Sequence, residues 1–262
     1  MVALSGQMLA DRATEQIIDT FYPVGYDSDA NLMISQMKQR GIEYTVNDEA
    51  SQSNPAQHFK FVNDDAKALA SEIVGLLQAK KLITKGSIGT NPSKYYEKEQ
   101  CVMSISSTGG SSYNISSNFV VKIAPVPYSG SRPYYIQQGP SICFFNNDND
   151  YIHKGAWLFY KYIANVAYNT GLSLENSYDP IRKSCYETAE YAQWIAHPTG
   201  SGLKYDVPKI TKTLTDYYMT SPVFIGSGTA RDEIGSIISY IYNGEAVDSA
   251  FARAYNKCVA AA

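Results

Sequence analysis

The sequence contains no uninterrupted apolar run near the ~20 residues a membrane-spanning helix requires. Charge is sparse: Asp, Glu, Lys and Arg make up 18% of the chain, with a formal net charge of −3 and a pI near 5.7. No block of one sign occurs, so the balance speaks against a strongly basic nucleic-acid binder. The three histidines, His58, His153 and His197, lie far from any cysteine in sequence. Cys101, Cys143, Cys185 and Cys258 are widely spaced and lack a CxxC pairing, so zinc finds no clustered ligands. Their default state is the buried free thiol. There is no Gly-Lys-Ser/Thr to complete a phosphate loop and no G-x-S-x-G to form a nucleophile elbow. Met1 to Leu9 carries neither the basic n-region nor the apolar h-region of a signal peptide. Taken alone, that start describes a cytosolic protein or a fragment whose export signal lies elsewhere.

What is present is 262 residues, 44% of them hydrophobic. That is too apolar for a disordered chain, and long enough for one large globular unit or two small ones. Tyrosine is over-represented, with 22 residues against 22 for Lys and Arg together. Its flat apolar body and hydroxyl suit polar-ligand clefts. An AT-rich coding sequence, which raises Lys, Asn, Ile and Tyr together, accounts for the same excess.

Helical and extended patterns alternate. A helix is expected over 2–19, and a second over roughly 30–40 with Ser28 or Asp29 as cap. His58–Val62 alternates as a strand does. A strongly amphipathic helix follows Asn63 and Asp64, with Ala66, Leu69, Ile73, Leu76 and Leu77 on one face. Cys101–Ile105, Phe119–Ala124 and Ser141–Phe145 read as further strands. From about 150 the pattern is almost wholly helical: Trp157, Tyr160, Ala164 and Ala167 line one helix, Ile234, Ile237, Ile238 and Ile241 another, and Val247, Phe251, Ala254 and Cys258 the last. The fold class is α/β.

Four stretches bear on chemistry. Asp27-Ser28-Asp29-Ala30-Asn31 opens like a calcium loop, but Leu32 replaces the required glycine and Lys38 the bidentate glutamate. Asn146–Asp150 fails the same test at Tyr151 and Trp157. Ser106–Ser112 is a Gly/Ser-rich stretch after a strand, able to offer amides and hydroxyls to a polar ligand or to serve as a plain loop. Gly226 to Glu233 starts the isoleucine-striped helix, and Thr229 with Asp232 matches a capping box only loosely. Arg231 places a cation at the positive end of that helix, where a carboxylate or ligand partner would relieve it. Asp27 and Asp29 as an acid–base pair lack a histidine, a metal or a second motif beside them.

Five segments resemble, in order, the second half of the bacterial extracellular solute-binding proteins of sugar-type ABC transporters, the family 1, maltose-binding-protein-like group. They are Tyr22-Pro23-Val24-Gly25-Tyr26-Asp27-Ser28-Asp29-Ala30-Asn31, Cys101–Ser107, and Val121-Lys122-Ile123-Ala124-Pro125-Val126-Pro127. The other two are Gln138–Cys143 with the Trp157–Tyr162 helix, and Tyr178-Asp179-Pro180-Ile181-Arg182-Lys183-Ser184, where Ser177 replaces a usual glycine. The resemblance implies a type II periplasmic-binding-protein fold, here mainly its C-terminal lobe with a helix-rich C-terminal third. Residues 1–136 would form that lobe, 137–190 a return segment that completes the N-terminal lobe, and 191–262 helices packed on the second lobe.

By the same resemblance the protein binds a small hydroxylated solute, a carbohydrate or a sugar or glycerol phosphate, for a membrane permease. It uses no cofactor, metal, catalytic residue or nucleic acid. Family members carry a signal and a further lobe, so the resemblance implies a full-length protein that is extracellular, membrane-anchored or periplasmic and of which this chain would lack the front. The positions carried over are Tyr26, Asp27 and Asp29 in the first loop, Thr108, Gly109, Ser111 and Tyr113 in the Gly/Ser stretch, and Ser227, Thr229 and Arg231 at the late helix start. Arg231 favours an anionic ligand, and the two aspartates favour a neutral one. A carbohydrate-active enzyme, which needs two carboxylates flanking a sugar, and a truncated lobe without binding activity are the alternatives.

Overall fold

A computed structural model describes residues 7–8, 21–129, 132–139 and 141–262. In chain order its main elements are β1 (Tyr22–Tyr26), α1 (Asp29–Gln39), α2 (Asp64–Gln78), β2 (Leu82–Thr84), β3 (Cys101–Ile105), β4 (Tyr135–Ile136), α3 (Asp150–Ile163), α4 (Val166–Asn176), α5 (Leu203–Leu214), β5 (Tyr218–Met219), α6 (Ser227–Tyr242) and α7 (Val247–Ala261). Short helical turns join several of them. The helix expected over 2–19 falls almost wholly outside the described residues, as do Gly130 and Ser131.

Two compact units emerge. The first comprises the described residues up to Ser106 together with Val126–Ile136 and Tyr217–Ala262. Its sheet has the order β2-β1-β3, all parallel, with Val24 opposite Leu82 on one side and Met103 on the other. β4 and β5 pair separately, also in parallel. Parallel neighbours need crossover helices, and α1 and α2 lie between β1 and β2 in the chain. Ser28 caps α1 by accepting the Asn31 N–H at 3.1 Å, and Asn63 caps α2 by accepting that of Ala66 at 2.9 Å. The core gathers Met33 and Met37 of α1, Leu69 and Ile73 of α2, Ile234, Ile237 and Ile238 of α6, and Phe251 of α7. The helical stripes read from the sequence are these faces.

The second unit comprises Ser107–Pro125 and Gln137–Asp216 and is mainly helical. Leu174, Cys185, Tyr191 and Val207 are buried in it, and the Tyr191 hydroxyl donates to the Pro208 carbonyl at 3.2 Å.

Three expected strands do not form. Over His58–Val62 the alternation is real, since Phe59 and Phe61 are buried, but only one antiparallel bridge forms, Thr45 to Phe59. Pro55 opens a 3-10 turn that runs to His58 and consumes the start of the segment. Phe119–Ala124 and Ser141–Phe145 are irregular and pair with no strand among the described residues. A strand's N–H and C=O groups need a partner, so apolar content alone does not make one. Cys143 is consequently exposed, whereas Cys101, Cys185 and Cys258 are buried, and all four are free thiols. The helix expected to run from Trp157 to Ala167 breaks. α3 ends at Ile163, and Asn165 caps α4 by accepting the Tyr168 N–H at 2.8 Å, so Ala167 belongs to the next helix. α3 buries none of its residues; Trp157, Leu158, Phe159 and Tyr162 are all more than half exposed.

Candidate functional site

The three parallel strands end together, and open α/β sheets bind ligands outside the carboxyl ends of their strands. β1 runs out at Tyr26 and its chain turns through Asp27 and Ser28 into α1. The Asp27 N–H donates to the Ile105 carbonyl at 2.9 Å, which fixes the loop against the end of β3. Asp27 Oδ1 accepts the Ser93 N–H at 3.0 Å, and Asp29 Oδ2 accepts the Gly86 N–H at 2.9 Å. Both aspartates therefore tie the β1 loop to the segments that follow β2. Gly86 permits its tie by having no side chain: a Cβ there would lie 2.2 Å from Ser239 Oγ and 3.0 Å from Asp29 Oδ1. Asp29 Oδ1 is itself buried and has no hydrogen-bond partner among the described residues.

α6 brings its first turn to the same region. Gly235 lies so close to α1 that a Cβ would sit 2.7 Å from the Ala30 nitrogen. One turn earlier, Arg231 donates to the amide oxygen of Asn31. Arg231 forms no ion pair with any described carboxylate. Tyr26 lies beneath: burial pushes its phenol up, against the opposing pull of the Ser35 hydrogen bond and the Arg231 charge.

The helix does start here, and the loose match of Thr229 with Asp232 makes no capping box. The cap is Gly226, in the left-handed region at φ 85°, and it offers no side chain. The Ala230 N–H reaches the Gly226 carbonyl at 2.9 Å, but those of Gly228 and Thr229 meet no acceptor among the described residues. The hydroxyls of Ser227 and Thr229 are likewise without partners there. Free amides at the positive end of a 16-residue helix, hydroxyls beside them and a guanidinium that no described carboxylate pairs, one turn on, form an anion-receptive group.

Of the ten positions read from the sequence, Tyr26, Asp27, Asp29, Ser227, Thr229 and Arg231 belong to the first unit. Thr108, Gly109, Ser111 and Tyr113 belong to the second, on a 3-10 turn spanning Thr108–Tyr113. Ser107 caps that turn by accepting the Gly110 N–H at 3.2 Å. Tyr113 is 73% exposed, so its ring is available to a solute. At Gly109 the Tyr178 ring fills the place of a side chain, since a Cβ would lie 2.2 Å from Tyr178 Cζ. Sequence reasoning missed Asn31, the partner of Arg231, although it closes the D-x-D-x-N stretch. It also missed the backbone donors Gly86 and Ser93, which no side-chain pattern announces.

No family model matches the chain, and no curated protein matches it by sequence. Solved structures do. The crystal structure of UgpB from Mycobacterium tuberculosis in complex with glycerophosphocholine is 13% identical, with a TM-score of 0.68 over 93% of this chain and 59% of that one. The GacH receptor of Streptomyces glaucescens, solved unliganded and with acarbose, is 18% identical, with a TM-score of 0.68 over 97% of this chain and 62% of that one. The fold is thus the type II periplasmic-binding-protein fold, and the chain spans about three-fifths of the length of these receptors.

Proposed function

We propose that the chain belongs to the solute-binding component of an ABC importer and binds, without covalent chemistry, a small hydroxylated solute that carries an anionic group, a sugar phosphate or glycerol phosphate. Arg231 carries this reading: a cation at a helix start without a side-chain cap, hydrogen-bonded among the described residues only to a neutral amide, with free amides and hydroxyls one turn away. The receptor fold supports the solute-binding role, since one neighbour was solved with glycerophosphocholine and the other with acarbose. A permease partner and an extracellular or periplasmic location go with that role. The exposed apolar stretch from Ile142 through Tyr162 supports the assignment of 137–190 to the completion of a further lobe.

The carbohydrate-active alternative is disfavoured by Asp27 and Asp29, each of which spends an oxygen on a backbone amide. Titration calorimetry with glycerol 3-phosphate, glucose 6-phosphate and maltose tests the proposal. The expected result is saturable binding of a phosphate ester without turnover, weakened about tenfold or more by Arg231→Gln, the scale of a charged hydrogen bond. Equal affinity of both proteins for the phosphate ester, or preference for neutral maltose, refutes the anionic assignment; product formation refutes the transport reading.

A further inference from the structure

Arg231 reaches α1 in its first turn, and the side chain it meets there is an amide. α1 begins at Asp29, so Asn31 is its third residue, and the Asn31 N–H is donated to the Ser28 hydroxyl at 3.1 Å. Two separate fields favour a carboxylate at that place. The positive end of the α1 dipole stabilises an acid in the first turn. The Arg231 guanidinium, which donates to the Asn31 amide oxygen, would bind a carboxylate oxygen more strongly still. Aspartate has the shape of asparagine and offers an oxygen in the same position. Stability alone therefore favours Asn31→Asp, yet the chain carries the amide.

The amide does what a carboxylate cannot. Its oxygen accepts from Arg231 and so orients the guanidinium, while its neutrality leaves the cation's charge uncancelled. The surroundings keep that charge open too. Burial pushes the Tyr26 phenol up, so the ring beneath stays neutral at physiological pH. Asp27 and Asp29 each hold a backbone amide, and no described carboxylate forms an ion pair with Arg231. A neutral side chain where two fields favour an acid gives up stability, and what the site gains is an oriented cation available to a solute.

We propose that Asn31 is a positioning residue that sets the charge specificity of the site: it aims Arg231 while leaving its charge free, and so favours a phosphate ester over a neutral sugar. The inference rests on the phosphate-ester reading above and deepens it, since it places the choice of solute charge in a residue that acts through another.

Titration calorimetry with glycerol 3-phosphate at pH 7.5 and thermal unfolding of the whole chain test it with two variants. Asn31→Ala removes the acceptor and adds no charge; Asn31→Asp keeps the acceptor and adds one. Affinity is expected to fall about threefold in Asn31→Ala and about tenfold or more in Asn31→Asp. The melting temperature is expected to fall in Asn31→Ala and to rise by about 2 °C or more in Asn31→Asp. A purely structural asparagine would instead order binding and stability alike, with Asn31→Asp preserving both. Glycerol 3-phosphate affinity that Asn31→Asp leaves unchanged or improves overturns the proposal and leaves the phosphate-ester reading standing. A melting temperature that Asn31→Asp lowers overturns it as well, because the position then does not favour a carboxylate. Absence of phosphate-ester binding by the unaltered chain refutes the phosphate-ester reading and the proposal with it.

Discussion

Gly235 is the position where fold and site depend on the same missing atom. Replacing it by alanine puts a Cβ 2.7 Å from the Ala30 nitrogen, 3.0 Å from its Cα and 3.1 Å from its Cβ. These neighbours are the backbone and stub of the first turn of α1, so nothing flexible can yield. Alanine favours a helix interior over glycine by about 0.8–1 kcal/mol, while overpacking a close contact costs about 1–3 kcal/mol. The net for Gly235→Ala is therefore about 0 to 2 kcal/mol destabilising. Gly75 of α2 provides the control, because it is exposed and a Cβ there meets nothing within 4 Å. Gly75→Ala should show the propensity gain alone, about 0.8–1 kcal/mol stabilising. Urea unfolding at constant m-value reads the difference, about 1–3 kcal/mol between two chemically identical changes. Gly235→Ala should also weaken solute binding, since parting α6 from α1 draws Arg231 from Asn31. If the two alanines stabilise the chain equally, the close approach of α6 to α1 is refuted, and the account of how Arg231 is positioned falls with it.

Burial pushes the Cys101 and Cys258 thiols up to about 12, so neither supplies thiolate between pH 7 and 9. In the native chain a thiol reagent should label Cys143 rapidly and the three buried thiols only after denaturation; fast labelling of Cys258 at pH 8 would contradict the packing of α7. The Arg40 hydrogen bonds, 2.8 and 3.0 Å, hold the Glu72 carboxyl below its usual 4.5. A lowered acid contributes stability that is complete above its unfolded pKa and is lost as pH falls through the folded value. Glu72→Gln should therefore flatten the acid limb of the stability profile below about pH 4.5 and cost under about 1 kcal/mol at pH 7, the pair being half exposed. An unchanged acid limb in chemical denaturation would show the pair to be idle.

Sequence periodicity located α1, α2, α6 and α7 because each signal was local. Ser28 and Asn63 cap where hydroxyl and amide caps are expected, and the isoleucines of α6 face one core. Strands were legible only where a partner existed. Cys101–Ile105 forms β3 because β1 lies beside it, whereas Ser141–Phe145, as apolar, finds no strand among the described residues. A strand is a property of two segments, and a one-dimensional pattern reports only one of them. The site divided along the same line. Arg231 stood out because a cation at a helix start is locally unfavourable. Its partner Asn31 lies 200 positions away in the chain, and the amides of Gly86 and Ser93 have no side-chain signature at all.

The two aspartates, read from sequence as arguing for a neutral solute, change their meaning once their oxygens are traced. Asp29 opens α1 and Asp27 precedes its cap, where negative charge opposes the positive end of the helix dipole. Asp27 Oδ1 and Asp29 Oδ2 each hold a backbone amide, and Asp29 Oδ1 is shut off from solvent. Their charge is thus partly balanced by peptide groups of the chain. Arg231 is balanced by no described carboxylate, and the free amides of Gly228 and Thr229 add positive potential one turn away. The negative groups of the site are structural ties and the positive ones are left open. A solute bearing a phosphate oxygen near Arg231 pairs a cation of the site that no described carboxylate meets, while a neutral sugar would leave that guanidinium as it is.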